Sequence, residues 1–270
     1  MVAISRRGAL GLGAVVGASV LAGCGRAATT RHASTASAPS SATVTHGPSS
    51  APATAMPSTP PGASTPAAGP GPAVEYRRGA GTRPQVALTF HGAGDPGIAR
   101  ELLAIFATHH AKVTVLAVGS WLAANPAMAS EILGAGHELG NHTFNHLDID
   151  SLDTAAARSE IVRCRDVLRS LAGTGGEVFR PSQTQFATPL VRTLAGEAGY
   201  RVCLSYDIDS LDYTDPGPAA VRAHVATATA GSIVSMHFGH PGTVAAMPSV
   251  LDDLTARGLR PVTATTLLAP

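Results

Sequence analysis

VALTFHGAGDPGIARELLAIFATHHAKVTVLAV, running from Val86 to Val118, reads as strand, helix, strand. VALTF (86–90) is a short apolar run of the kind that sits in a buried strand. Beyond it, Ile98, Leu102, Leu103 and Phe106 recur at helical spacing between Pro96 and His109. KVTVLAV (112–118) is rich in β-branched residues and returns as a second strand. Asp95-Pro96 has the form of a helix start, with aspartate as cap and proline at the first position.

The alternation continues to the C-terminus. Asn125-Pro126 opens a helix that runs to Gly134, and HELGN (137–141) is a short polar strand. Leu152-Asp153-Thr154 begins a long helix to about Leu171, with Ile161, Val162, Val167 and Leu168 available for its inner face. EVF (177–179), RVCLS (201–205) and SIVSM (232–236) are further strands, and a last one falls near Arg260 to Thr263. Strands alternating with helices imply an α/β domain with a mostly parallel sheet, open or closed into a barrel. The working face of such a sheet lies at the C-terminal ends of its strands.

The residues expected there form a pattern: His91, His142, Arg180, Asp207 and His237 each end a predicted strand. A single histidine in a chain with 11 is an ordinary surface or core residue. Five ionisable groups at one end of one sheet make a candidate metal or acid–base site. Within it, HTFNH (142–146) spaces His142 and His146 so that a helical turn would put both imidazoles on one face, within reach of one cation.

The N-terminus addresses a compartment. Arg6 and Arg7 precede an apolar run from Ala9 to Ala22, which is too short to span a membrane and has the layout of a secretory signal. The paired arginines mark export of folded proteins, and Leu21-Ala-Gly-Cys24 resembles the bacterial lipobox, so Cys24 is the expected lipidation site. Residues 24–74 are mostly Ala, Ser, Thr, Pro and Gly, without Lys, Asp, Glu or an aromatic, a composition that cannot offset its ordering entropy. We read this stretch as a disordered tether with a coil span of roughly 40 Å. It would hold residues 75–270, one domain's worth of chain, off a membrane on the extracytoplasmic side. A net charge of +1 without a basic patch argues against nucleic acid as a partner. Cys164 and Cys203 lack CxxC spacing and read as buried thiols.

GHELGNHTFNH (136–146) resembles the second motif of the polysaccharide deacetylases, the NodB-homology or family-four carbohydrate esterases. FRPSQ (179–183), SYDIDSLDYTD (205–215) and GSIVSMHFG (231–239) are similar to the third, fourth and fifth motifs. The third motif lacks its usual Pro-Tyr-Gly, and the fourth has Tyr213 where tryptophan is common. The resemblance spans nearly all of about Pro84 to Leu268. It implies a distorted, incomplete (β/α) barrel and a divalent cation, zinc by its donors, held by His142 and His146. It also implies hydrolysis of the acetamide of N-acetylated wall glycans. His237 would be the acid that protonates the departing amine, Asp209 or Asp212 the carboxylate that orients it, and Arg180 the partner of the base.

The first motif departs from this pattern. The family reads Thr-Phe-Asp-Asp-Gly-Pro, with general base and third metal ligand in succession. Here the aligned residues are Thr89-Phe90-His91-Gly92. His91 stands in the base position and Gly92 in the ligand position. Three readings remain open. His91 completes a three-histidine set suited to catalytic zinc. Alternatively, Asp95 folds back as the third ligand and leaves His91 as base. In the third, nothing fills the gap, and the domain is a wall-tethered glycan-binding pseudoenzyme.

Overall fold

The computed structural model describes residues 71–270, and the signal, the lipobox with Cys24, and nearly all of the tether lie outside the described residues. The sheet is parallel throughout. It comprises β1 (Val74–Tyr76), β2 (Gln85–Gly92), β3 (Thr114–Ala117), β4 (Glu138–Asn141), β5 (Val178–Phe179), β6 (Val202–Leu204), β7 (Ile208–Asp209), β8 (Ile233–His237) and β9 (Arg260–Pro261). Eight strands follow the order β1-β6-β5-β4-β3-β2-β8-β7, and β9 pairs with the start of β2. The two edges do not pair as strands. Arg78, just after β1, crosses the gap to Asp207, Thr229 and Ser232 and leaves the curled sheet an incomplete barrel.

Helices α1 (Pro96–Thr108), α2 (Gly119–Ala124), α3 (Ala127–Gly134), α4 (Thr154–Ala172), α5 (Pro189–Glu197), α6 (Pro218–Val225), α7 (Pro241–Ala256) and α8 (Ala264–Leu268) follow the strands. The apolar spacing seen in the sequence works as expected in α1, which buries Leu102, Leu103 and Phe106 against the outer face of the sheet. A separate, smaller core of Ala87, Leu116, Val178, Leu204 and Ile233 fills the barrel interior. Among the described residues no helix is long and apolar enough to cross a membrane. Cys164 and Cys203 are buried free thiols.

Four features depart from the sequence reading. Ala73 is already buried and β1 begins at Val74, so ordered chain starts slightly before the expected boundary at residue 75. β7 and α2 are short elements that their polar or small residues did not announce. Asp207 does not reach the working face: its carboxylate accepts the Ile233 N–H at 2.7 Å, at the start of β8. Finally, HTFNH is not a helical turn. Thr143 (φ 65°) and His146 (φ 57°) are left-handed, and the loop curls back on itself instead.

Candidate functional site

Strand register builds the floor of the site. His91 on β2 lies beside His237 on β8, and Thr89, one pleat earlier, beside Ser235. Ser235 is in turn paired with Asp209 on β7. Residues in register on parallel neighbours share a face, so His91, His237, Ser235 and Asp209 face the barrel interior. His142 follows β4 directly and is fully buried. Its backbone N–H continues the ladder to Ala117, and its Nδ1 donates to the Arg180 carbonyl at 3.1 Å, which leaves Nε2 unprotonated.

The second motif's loop brings His146 to the same point. Asn141 Oδ1 accepts the Thr143 N–H, and Glu160 on α4 accepts both the backbone and the side-chain N–H of Asn145, each at 2.7 Å. Gln183 Nε2 donates to the His146 carbonyl at 2.8 Å. The result is that His146 Nε2 faces His142 Nε2 at 3.0 Å. One donor atom from each of His91, His142 and His146 lies within 4.8 Å of the other two.

These residues fit a divalent cation. Two imidazole nitrogens bound at about 2.0–2.1 Å to a tetrahedral zinc lie roughly 3.3 Å apart, close to the His142–His146 approach. His91 Nδ1 is buried without a hydrogen-bond partner, and its Nε2 has only the Ser235 hydroxyl, at a long 3.4 Å. Electrostatics favours neutral imidazoles. Burial, followed by the charges of His142, His237 and Arg180, pushes His91 well below its ordinary range. Burial and His146 do the same to His142, and burial and His237 lower His146. These shifts favour the unprotonated imidazoles that metal ligation requires.

Asp95 sits elsewhere. It is exposed and caps α1, accepting the Gly97 N–H at 2.7 Å, and the converging group contains His91 and not Asp95. The glycines after His91 serve a close approach of two loops. Gly94 (φ 91°) lies back to back with Gly239, and a Cβ on Gly94 would stand 2.7 Å from the Gly239 Cα. Trp121, largely buried, donates from Nε1 to the Gly94 carbonyl at 2.8 Å and locks that loop.

Of the two carboxylates left open for orienting His237, Asp212 does so. Its Oδ1 meets His237 Nδ1 at 2.7 Å, while Oδ2 accepts the His237 backbone N–H and the Thr243 hydroxyl. Burial would raise the pKa of Asp212, but the hydrogen bonds and charge of His237 outweigh it and hold the group below the ordinary carboxylate range. Thr243 carried no sequence signal, because it starts a helix outside every motif. Asp209 accepts the Leu211 N–H and points into the cleft. Arg180 is fully buried, donating to the Leu204 and Ser205 carbonyls, with Nη1 unpartnered. Burial pulls its pKa down to about 9. No carboxylate lies within ion-pair distance of it among the described residues. His240 pairs with Asp215 at the rim, Nδ1 to Oδ1 3.0 Å.

The chain is thus an α/β half-barrel with a histidine cluster and a His–Asp dyad at the C-terminal ends of its strands. The polysaccharide deacetylase family model matches residues 78–203. A peptidoglycan-N-acetylglucosamine deacetylase of Bacillus cereus is 31% identical over 188 residues, covering 68% of this chain and 87% of that protein. The chain belongs to the polysaccharide deacetylase family. Its fold is shared by a family-four carbohydrate esterase from Streptomyces lividans (TM-score 0.62, 25% identity, 66% of this chain and 91% of that one). It is also shared by a protein from Bacillus anthracis described as a pseudoenzyme of the same family (TM-score 0.68, 23% identity, 73% of this chain and 69% of that one).

Proposed function

We propose that this chain is a metal-dependent hydrolase that removes acetyl groups from N-acetylglucosamine units of cell-wall glycans. In this reading it is exported through its paired arginines and held to the membrane by a lipid on Cys24. The observation that carries the proposal is the convergence of His91, His142 and His146 on one point, next to a His237–Asp212 dyad. The histidine that replaces the family's aspartate thus supplies the third ligand, and the site is rebuilt around three neutral imidazoles.

A divalent cation held there would polarise water and the acetamide carbonyl. The chain's own residues handle the protons. With His91 committed as a ligand, His237 lines the cleft with its Nδ1 fixed by Asp212, so Nε2 is the nitrogen left to serve both directions of transfer. It takes the proton of the attacking water and returns it to the amine as the carbon–nitrogen bond breaks, giving acetate and a free amine. Asp212 stabilises the imidazolium between the two steps. Arg180, lying under the cluster without a carboxylate, opposes protonation of His91.

A second reading has its own support. Neither carboxylate of the family's first motif is present, and Arg180 has lost its counter-ion, both of which suit a protein that binds glycan without cutting it. Acetate release from N-acetylglucosamine oligomers by the zinc-loaded chain separates the two. Release that disappears in His237→Ala supports the hydrolase. Glycan binding with zinc in place and no acetate released supports the binder.

A further inference from the structure

Beneath the histidine cluster the cleft has a lower layer, and that layer is polar. Ser235 lies one pleat before His237 on β8, and Asp209 pairs with Ser235 from β7, so both sit roughly 6.6 Å deeper in the barrel than His237. Both line the cleft of about 330 Å³ that also holds His91, His146 and His237. Ser235 Oγ stands 3.4 Å from His91 Nε2. Asp209 accepts the Leu211 N–H on one oxygen at 2.9 Å, and among the described residues its other oxygen has no hydrogen-bond partner. Asp209 is not one of the three residues that converge on the cation point. Deeper still, Ala87, Leu116, Leu204 and Ile233 fill the barrel, so substrate enters from the C-terminal ends of the strands.

The order of atoms in an N-acyl sugar decides which part reaches that layer. With the carbonyl turned to the three histidines and the nitrogen to His237, the sugar ring lies toward the mouth, where Tyr213 and the loop of Gln183, Thr184 and Gln185 stand. A secondary amide is trans, which puts the sugar carbon and the acyl chain on opposite sides of the carbon–nitrogen bond. The acyl chain therefore points down, at Ser235 and Asp209. No aliphatic side chain lines the cleft, and of its two tyrosines Tyr213 is exposed at the rim while Tyr206 lies over Arg180. A methyl group pointing down strips water from a carboxylate and a hydroxyl and returns no hydrogen bond. A hydroxyl on that carbon donates to Asp209 and accepts from Ser235.

Resting on the hydrolase reading, we infer that the acyl group this site is built to remove carries a hydroxyl on the carbon next to the carbonyl. The preferred substrate class is an N-hydroxyacetyl amino sugar, with the plain acetamide a poorer substrate of the same site. Water adds to the acyl carbon, the carbon–nitrogen bond breaks, and the products are hydroxyacetate and the free amine. Ser235 and Asp209 set the choice of acyl group, and His237 moves the proton in either case.

The test compares an N-acetylglucosamine tetramer with the same tetramer N-hydroxyacetylated, using the full-length, zinc-loaded chain. Both release the same amine, so one amine assay reads both. The expected result is a kcat/KM at least about tenfold higher for the hydroxyacetyl tetramer. Ser235→Ala and Asp209→Ala, each checked for folding by circular dichroism, should lose most of that preference. The ratio is taken within each variant, so a shared loss of zinc or rate cancels. Calorimetry on the zinc-loaded His237→Gln chain, which blocks turnover, should give the same order of affinities. Equal or acetyl-favouring values in the parent, or a preference that survives both variants, overturn the inference and leave the hydrolase reading standing. No amine from either tetramer overturns both.

Discussion

His237 Nδ1 and Asp212 Oδ1 lie 2.7 Å apart, and the other oxygen of the same carboxylate holds the His237 backbone N–H and the Thr243 hydroxyl. One buried aspartate thus fixes the imidazole's tautomer, its ring orientation and the end of the strand that carries it. Asp212→Asn keeps the shape but disfavours the tautomer with Nε2 free. We expect acetate release to fall about 10²- to 10⁴-fold with little change in KM. A change confined to KM would assign Asp212 to substrate binding instead.

Removing the Thr243 hydroxyl tests the same unit more gently. Thr243→Val deletes one donor to a fully buried carboxylate that keeps its other partners. A cost of about 1–2 kcal/mol in stability is expected, read as a lowered Tm. Activity should drop far less than in Asp212→Asn. An unchanged Tm would show that solvent replaces the hydroxyl.

Gly92 is not a place where a ligand can simply be put back. A Cβ there would stand 2.9 Å from Val115 Cγ1 and 3.1 Å from the Ala117 Cα, on the helix-facing side of the sheet. Gly92→Asp is expected to cost about 1–3 kcal/mol through overpacking and to leave zinc affinity no tighter. Tighter zinc binding by this variant would mean that the loop can turn a side chain inward, and that the site never closed around His91.

Acid should destabilise the metal-free chain. His137, buried beside Phe106 and accepting the Val113 N–H on Nδ1, titrates at about 4 rather than 6.5, chiefly through burial. His91, His142 and His146 are lowered too. The unfolded chain takes up these protons first. The stability contribution is therefore complete above pH 6.5 and is lost as pH falls toward 4. Thermal melts in chelator across that window should show a falling Tm, with a shallower slope for His137→Gln. A flat profile would contradict the neutral, buried state of these imidazoles.

Much of this was legible in the sequence because β2, β3 and the helix between them carry strong, unmixed periodicities. The site was legible where strands simply end, as at His91, His142 and His237. It was not legible where backbone conformation overrides spacing. His146 meets His142 through two left-handed residues and a Glu160 hydrogen bond from a helix, none of which shows in an HxxxH count. Asp207 misled because β6 stops at Leu204, and the chain drops back to the opposite end of the sheet before β7 starts. Choosing between Asp209 and Asp212 needed the side-chain geometry, since both lie in one short motif.

The central claim is that His91, standing where the family has an aspartate, is a metal ligand. The direct measurement is zinc content and affinity of the full-length chain beside His91→Ala, with folding of both checked by circular dichroism. The account predicts about one zinc per parent chain and a loss of at least tenfold in affinity for a folded variant. Equal zinc binding by the two, or no zinc in either at micromolar concentrations, would contradict it.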